Sequence, residues 1–335
     1  MEKSERIEKW DILKFFLIFL VVLGHVVEAF GDGSAWQNAL FVFIYSFHMP
    51  VFVFVSGMFS KRNINEKRYN KITVYLFLFF ITKLILFCSR IIAYKKATIS
   101  FTEIGDLPWY MLAMFVFSLI TIGLEKFSPA YVFPLIIAVS CVAGYDSSLG
   151  DTLALMRMFV FFPFFYAGYC FEPKKVSEFT DRKSVKIISA VVLIAAAVII
   201  FTQVDKLYQF KPLLTGRRAF ESLGKYKSYG CVLRFAYYIA AFVIGGAVVC
   251  ITPNKLGKKG IIAKLGSRSL QVYMLHYSLI HIFDGRIKNL LPDIPPAILF
   301  AVLAVSFTLV CSMKIWEPIF KFFMNPETFL RKKDK

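Results

Sequence analysis

The stretch DILKFFLIFLVVLGHVVEAF, residues 11–30, decides how this chain folds. Apart from Asp11, Lys14, His25 and Glu28 it is apolar, and as an α-helix it is long enough to cross a bilayer, which takes about 20 such residues. Similar apolar runs recur to the end of the chain. We therefore expect an all-α, polytopic membrane bundle that forms a single domain over residues 1–335.

The composition supports this class. Of 335 residues, 58% are hydrophobic and 19% charged, with a mean hydropathy of +0.62, which is more apolar than soluble domains are. The formal net charge of +18 lies mainly in loops between apolar runs, a pattern that indicates membrane topology rather than nucleic-acid binding. The six cysteines form no CxxC pair, so we expect neither disulfides nor a metal.

Ten apolar stretches are predicted to span the membrane. The even number places both termini on one side, and the loops rich in Lys and Arg mark that side as cytoplasmic. The basic loop 204–228 is an exception on the opposite side. We expect a multi-pass protein of a cell membrane, namely a bacterial plasma membrane. The predicted spans lie near 11–31, 38–60, 72–94, 108–125, 129–145, 152–172, 185–203, 229–252, 269–285 and 296–318.

Four polar side chains share one face of the first predicted helix. At about 100° per residue, His25 lies about 20° from Lys14, and Glu28 and Asp11 lie within about 60° of it. An ionisable group at membrane depth is costly and usually functional. The second span runs back antiparallel, so His48 can approach His25. We predict His25 as a catalytic base supported by Glu28 and His48; the alternative is a polar contact that only joins helices.

Four further residues are candidates for binding the substrate. Arg157 and Arg234 lie a few residues inside the outer face, where they either line a polar cavity or extend to the interface. Trp109 either shapes the acceptor site or belongs to an interfacial aromatic belt. His276 lies about 10 Å from the cytoplasmic end of its span, as judged from the helical rise.

Four motifs carry a resemblance to a known family. EKWDILKFFLIFLVVLGH at 8–25 holds a basic residue and a histidine separated by ten positions, and FHMPVFVFVSGMF at 47–59 follows it. LPWYMLAMF at 107–115 and GSRSLQVYMLH at 266–276 come later in the same order. Together they resemble the membrane acyltransferase family three, in particular its branch of fucose 4-O-acetylase-like and polysaccharide O-acetylating enzymes.

The resemblance implies transfer of an acetyl group from acetyl-CoA to a hydroxyl of a cell-surface or lipid-linked glycan, with His25 catalytic and His48 assisting. Family members often carry two arginines spaced RxxR after the second span. Here that spacing holds Arg68 and Lys71, which keeps the charge but loses the second guanidinium fork. We expect Arg62, Arg68 and Lys71 to bind CoA phosphates, with Lys14 at the cytoplasmic mouth.

Two alternatives stay open at this point. His25 either deprotonates the acceptor hydroxyl for direct attack on the thioester or first accepts the acetyl group itself. The expected partners are the glycan acceptor and membrane lipid, with a separate extracytoplasmic transferase for any later transfer step. The competing function is a non-enzymatic transporter or flippase for a lipid-linked sugar or a small anion.

Overall fold

The computed structural model describes residues 7–105, 107–257, 260–287 and 293–325. Within these ranges the chain is helical, and the only β-pairing is an isolated bridge between Glu103 and Thr152. The all-α prediction is confirmed. The α-helices are α1 (Glu8–Phe30), α2 (Ala35–Tyr45), α3 (His48–Asn65), α4 (Tyr69–Tyr94), α5 (Trp109–Gly123), α6 (Pro129–Ala143), α7 (Leu155–Cys170), α8 (Pro173–Thr180), α9 (Lys183–Thr202), α10 (Val204–Leu207), α11 (Lys211–Thr215), α12 (Gly230–Ile251), α13 (Ile261–Gly266), α14 (Ser269–Phe283), α15 (Pro296–Cys311) and α16 (Glu317–Met324).

Five helical segments of the described chain are long and apolar enough to cross a membrane, and a bent pair of segments makes a sixth candidate. The membrane character of the chain is therefore supported. Helices α5, α6 and α7 are apolar but short, with 15, 15 and 16 residues, and about 16 residues rise only about 24 Å. The count of ten spans stays a prediction. The candidates are Glu8–Phe30, Ala35–Asn65, Tyr69–Tyr94, Lys183–Thr202, Phe220–Ile251 and the pair Pro296–Cys311 with Lys314–Met324, bent by 40°.

The second predicted span is interrupted where the sequence suggested one straight helix. Helix α2 ends at Tyr45 and α3 begins at His48. Pro50 has no N–H with which to continue the helical hydrogen bonds across this point. The Ile44 carbonyl instead accepts from the Phe47 N–H at 3.3 Å and from Nδ1 of His48 at 2.7 Å. The break therefore fixes the His48 ring in the interior of the bundle, at the start of a helix.

Backbone contact between α3 and α7 holds the middle of the bundle together. A Cβ on Gly57 would lie 2.0 Å from the Phe165 carbonyl oxygen, and one on Gly168 would lie 1.9 Å from that of Phe54. Only glycine allows two helices to approach so closely, as in other membrane bundles.

Helix α1 occupies the centre of the bundle. It packs against α2, α3, α13, α14 and α15. These neighbours surround the polar stripe predicted on this helix, so His25 faces protein.

Candidate active site

His25 and His276 are joined by a hydrogen bond between α1 and α14. The distance from Nδ1 of His25 to Nε2 of His276 is 2.9 Å, and the two rings are parallel within 3°. Nδ1 of His276 lies 2.8 Å from the Val272 carbonyl oxygen, which can only accept, so Nδ1 carries the proton. Nε2 of a neutral His276 is then the acceptor, and His25 donates to it from Nδ1. This leaves a lone pair on Nε2 of His25.

The His48 ring is oriented by a hydrogen bond made at the start of its own helix, α3. Its Nδ1 donates to the Ile44 carbonyl, which leaves Nε2 of the neutral ring as an acceptor. The ring is buried and meets Tyr45 edge to face at a centroid distance of 4.6 Å. His48 thus presents the same kind of nitrogen as His25.

The two histidines line one small cavity of about 80 Å³, here called the histidine cavity. Its wall combines the titratable groups with aromatic and aliphatic side chains from α1, α2, α3, α5, α7, α11 and α14 and from the loops beside them. Such a mixture suits a site where polar groups orient a substrate inside an apolar frame. The lining residues are Val21, His25, Glu28, Tyr45, His48, Met49, Gly105, Leu107, Trp109, Arg157, Phe161, Leu214, Thr215, Arg217, Tyr273 and Tyr277.

Glu28 lines the same cavity but bonds to other groups. Its carboxylate accepts from the Tyr45 hydroxyl at 3.2 Å and pairs with Nζ of Lys211 at 3.3 Å. His276, rather than Glu28, therefore orients the His25 ring. The Lys211 contact ties the loop between α9 and α12 to the rim of the cavity.

Two arginines that line the histidine cavity converge on Asp151. Arg157 donates from Nη2 to the Ile104 carbonyl and lies 3.5 Å from Oδ1 of Asp151. Its guanidinium also covers the Trp109 ring at 5.0 Å. Arg217 donates to both Asp151 carboxylate oxygens at 3.4 and 3.3 Å. This part of the wall thus combines an Asp151 ion pair with the Trp109 ring.

A second, larger cavity of about 310 Å³ extends toward the face at which α1 begins. We call it the Lys14 cavity. Lys14 lies at one end, 2.7 Å from Asp11, and Tyr273 at the other end lines both cavities. The lining residues are Lys14, Phe52, Ser56, Tyr75, Tyr110, Met111, Ser267, Arg268, Ser269, Leu270, Gln271, Tyr273, Phe320 and Met324.

The remaining predicted donor-binding residues lie on the face where α1 begins. Arg62 and Arg68 both pair with Glu66, the former at 3.0 Å, and the Arg62 hydrogen bond lowers the pKa of that carboxyl. Lys71 donates to the Asn325 side chain at 3.0 Å, next to Met324 at the edge of the Lys14 cavity. None of these three cations is a lining residue of that cavity.

Comparison with known proteins decides the family. A family model described as an acyltransferase domain matches residues 7–316. The chain belongs to this acyltransferase family. The resemblance seen in the sequence is therefore confirmed over nearly the whole chain.

A curated relative of this acyltransferase is the nodulation protein NolL of Mesorhizobium japonicum. The two are 25% identical over 178 residues, which is 48% of this chain and 47% of the relative. The acyltransferase thus spans about half the length of the curated relative it matches. No solved structure matches it.

The acyltransferase structure brings most of the predicted site residues together but leaves Arg234 apart. His25, Glu28, His48, Trp109 and Arg157 line the histidine cavity, and His276 lies directly behind His25. Arg234 is fully buried under the Phe220 ring, with 5.4 Å between Cζ and the ring centroid, and is not a lining residue. Its assignment to the substrate stays a prediction.

Arg217, Tyr273 and Tyr277 are among the lining residues of the acyltransferase that were not predicted as site residues from the sequence. Arg217 comes from the loop between α9 and α12, whose path the sequence does not indicate. Tyr273 and Tyr277 are four residues apart in α14 and so share one face of it, and this spacing was the available signal. Within the described residues, no three His, Cys, Asp or Glu side chains group as metal ligands would.

Proposed function

We propose that this protein is an integral-membrane O-acetyltransferase that moves an acetyl group from acetyl-CoA to a hydroxyl of a cell-surface or lipid-linked glycan. The observation that carries the proposal is the pair of successive hydrogen bonds that link the Val272 carbonyl to His276 and His276 to His25. It leaves the Nε2 lone pair of His25 in a cavity of an acyltransferase-family protein. The match of residues 7–316 to an acyltransferase family favours this function over a transporter or flippase.

In the proposed reaction, Nε2 of His25 removes the proton from the acceptor hydroxyl as the oxygen attacks the thioester carbonyl carbon. Collapse of the tetrahedral intermediate breaks the C–S bond. The His25 imidazolium then returns the proton to the departing thiolate, so the products are the O-acetyl ester and CoA with a free thiol. The hydrogen bond from Nδ1 to His276 keeps the ring oriented while it carries the positive charge.

The other groups of the cavity have supporting roles in this proposal. Nε2 of His48 accepts a hydrogen bond from a hydroxyl of the bound sugar. Trp109 offers an aromatic face to the sugar, and Arg157 and Arg217, which also line the cavity, donate to its hydroxyls. The donor approaches through the Lys14 cavity, and Arg62, Arg68 and Lys71 attract the CoA phosphates at its mouth.

The membrane arrangement is part of the proposal. Six candidate spans together with α5, α6, α7 and α14 give ten crossings, with both termini cytoplasmic, in a bacterial plasma membrane. The histidine cavity then lies toward the outer side, where envelope glycans are found. Membrane lipid surrounds the bundle, and a separate extracytoplasmic protein carries out any later transfer.

The experiment is transfer of label from radiolabelled acetyl-CoA to chemically de-O-acetylated envelope glycan by purified protein in nanodiscs. We expect label in the glycan that mild alkali releases, as an O-acetyl ester requires. Label that resists alkali, or no transfer in the presence of a full set of envelope glycans, contradicts the proposal.

A further inference from the structure

Gln271, which lines the Lys14 cavity, has a buried amide oxygen without a hydrogen-bond partner. Gln271, in the first turn of α14, is only 5% exposed, and its Oε1 is buried with no hydrogen-bond partner. Buried polar atoms are normally paired, because a lost partner leaves the desolvation of the group uncompensated. An acceptor oxygen at a cavity wall therefore indicates a ligand that brings an N–H or O–H group.

The rest of the cavity limits what this ligand is. The wall combines hydroxyls from Ser56, Tyr75 and Tyr110 with apolar side chains, among them Phe52 and Met111, and the Ser56 and Tyr110 hydroxyls bond to each other. A ligand with amides separated by aliphatic segments matches a largely apolar wall that holds one unpartnered acceptor. A sugar or a simple acyl chain does not, because the first lacks the aliphatic segments and the second lacks donors.

The two ends of the cavity set the direction of the ligand. Lys14 lies toward the basic face, and Tyr273 lines both this cavity and the histidine cavity. The Tyr273 hydroxyl donates to the Leu107 carbonyl at 2.5 Å, and its ring lies 5.1 Å from that of Tyr110 and 6.4 Å from that of His276. A ligand with a charged end at Lys14 thus has its other end one aromatic ring away from the catalytic histidine pair.

We propose that the Lys14 cavity holds the pantetheine arm of the donor and that Oε1 of Gln271 accepts a hydrogen bond from one of its amide N–H groups. This inference rests on the proposed function, since it takes acetyl-CoA as the donor. The axial distance from Lys14 to His25, about 16 Å by helical rise, is comparable with an extended arm. Tyr273 then lies between the pantetheine arm in the Lys14 cavity and the histidine cavity that the thioester must reach.

The test is calorimetric binding to the full-length protein in nanodiscs, with two probes. Acetyl-CoA carries the arm, and adenosine 3′,5′-bisphosphate carries a nucleotide without it. Gln271→Leu is expected to weaken acetyl-CoA binding about three- to tenfold, as loss of one neutral hydrogen bond does, and to leave binding of the bisphosphate unchanged. The control is Thr308→Val, which removes another buried, unpartnered oxygen outside the cavity lining and should change neither affinity.

Each outcome has one meaning. Equal affinity of wild type and Gln271→Leu for acetyl-CoA overturns the inference alone, and so does an equal loss for both probes. A wild-type protein that binds no acetyl-CoA overturns the proposed donor as well. If Gln271→Leu does not fold, Gln271→Asn replaces it, because the shorter amide withdraws the oxygen from the arm and should produce the same selective loss.

Discussion

His25 and His276 are 251 residues apart in the chain, yet their ring nitrogens lie 2.9 Å from each other. The bond fixes which nitrogen of His25 carries a proton. It does so because His276 is itself held by the Val272 carbonyl one turn earlier in α14. His276 is therefore a positioning residue, and its contribution depends on a hydrogen-bond acceptor at the place of its Nε2.

Substitutions at His276 should separate this role from simple packing. His276→Leu removes the acceptor, and we expect kcat to fall about 100-fold, within the usual range for a general-base contribution, with little change in KM. His276→Gln supplies an amide oxygen and should recover part of the loss. Steady-state label transfer measures both variants, and equal rates for Leu and Gln would show that the acceptor is not what matters.

Tyr273 separates the two cavities, so its size should control leakage of the thioester to water. Tyr273→Ala opens the wall, and we expect faster hydrolysis of acetyl-CoA without acceptor than in wild type. Tyr273→Phe keeps the ring and loses only the bond to Leu107, so its hydrolysis should stay near the wild-type rate. Release of free thiol over time measures both, and an unchanged rate in Tyr273→Ala contradicts a separating role.

Arg217 fastens the segment between α9 and α12 to Asp151 beside the histidine cavity, where we propose that the acceptor binds. Arg217→Gln removes this ion pair, and we expect the KM for glycan to rise about fivefold while the KM for acetyl-CoA stays constant. Arg218→Gln, at the exposed neighbouring position, is the matched control and should leave both unchanged. A rise in the KM for acetyl-CoA instead would show that Arg217 acts in donor binding and not in glycan binding.

The contact of Gly57 with α7 should determine stability rather than catalysis. Gly57→Ala forces a methyl group against the Phe165 carbonyl, and overpacking of this kind costs about 1–3 kcal/mol. Gly246→Ala, in the exposed part of α12 with no atom near its Cβ, should stabilise slightly because alanine favours helix. Thermal unfolding in nanodiscs compares them, and equal midpoints would argue against the close packing.

The sequence predicted the helical class and much of the site, for identifiable reasons. Apolar length shows which segments are helices in a membrane, and a 3.6-residue period places Lys14, His25 and Glu28 on one face. The prediction that His48 approaches His25 followed from the short connection between two adjacent helices. Both rings line one cavity, although Pro50 and the Ile44 carbonyl break the helix just before His48.

What the sequence did not reveal depends on contacts between distant segments. No spacing within α1 indicates that α14 packs beside it, so the His25 partner was assigned to Glu28 or another group rather than to His276. The contacts of Arg217 depend on the path of a long loop. The short helix α5 starts at Trp109, which lines the histidine cavity. Because such a helix begins inside the bundle, hydropathy alone does not fix the number of crossings.

The most direct test of His25 as the base is the rate of label transfer by His25→Ala against that of His281→Ala. His281 is also buried in α14, but it bonds to Ser89 and is not a lining residue of the histidine cavity. We predict that His25→Ala loses transfer at least 100-fold while remaining folded and able to bind acetyl-CoA, and that His281→Ala keeps it. Wild-type transfer by a folded His25→Ala protein would contradict the account.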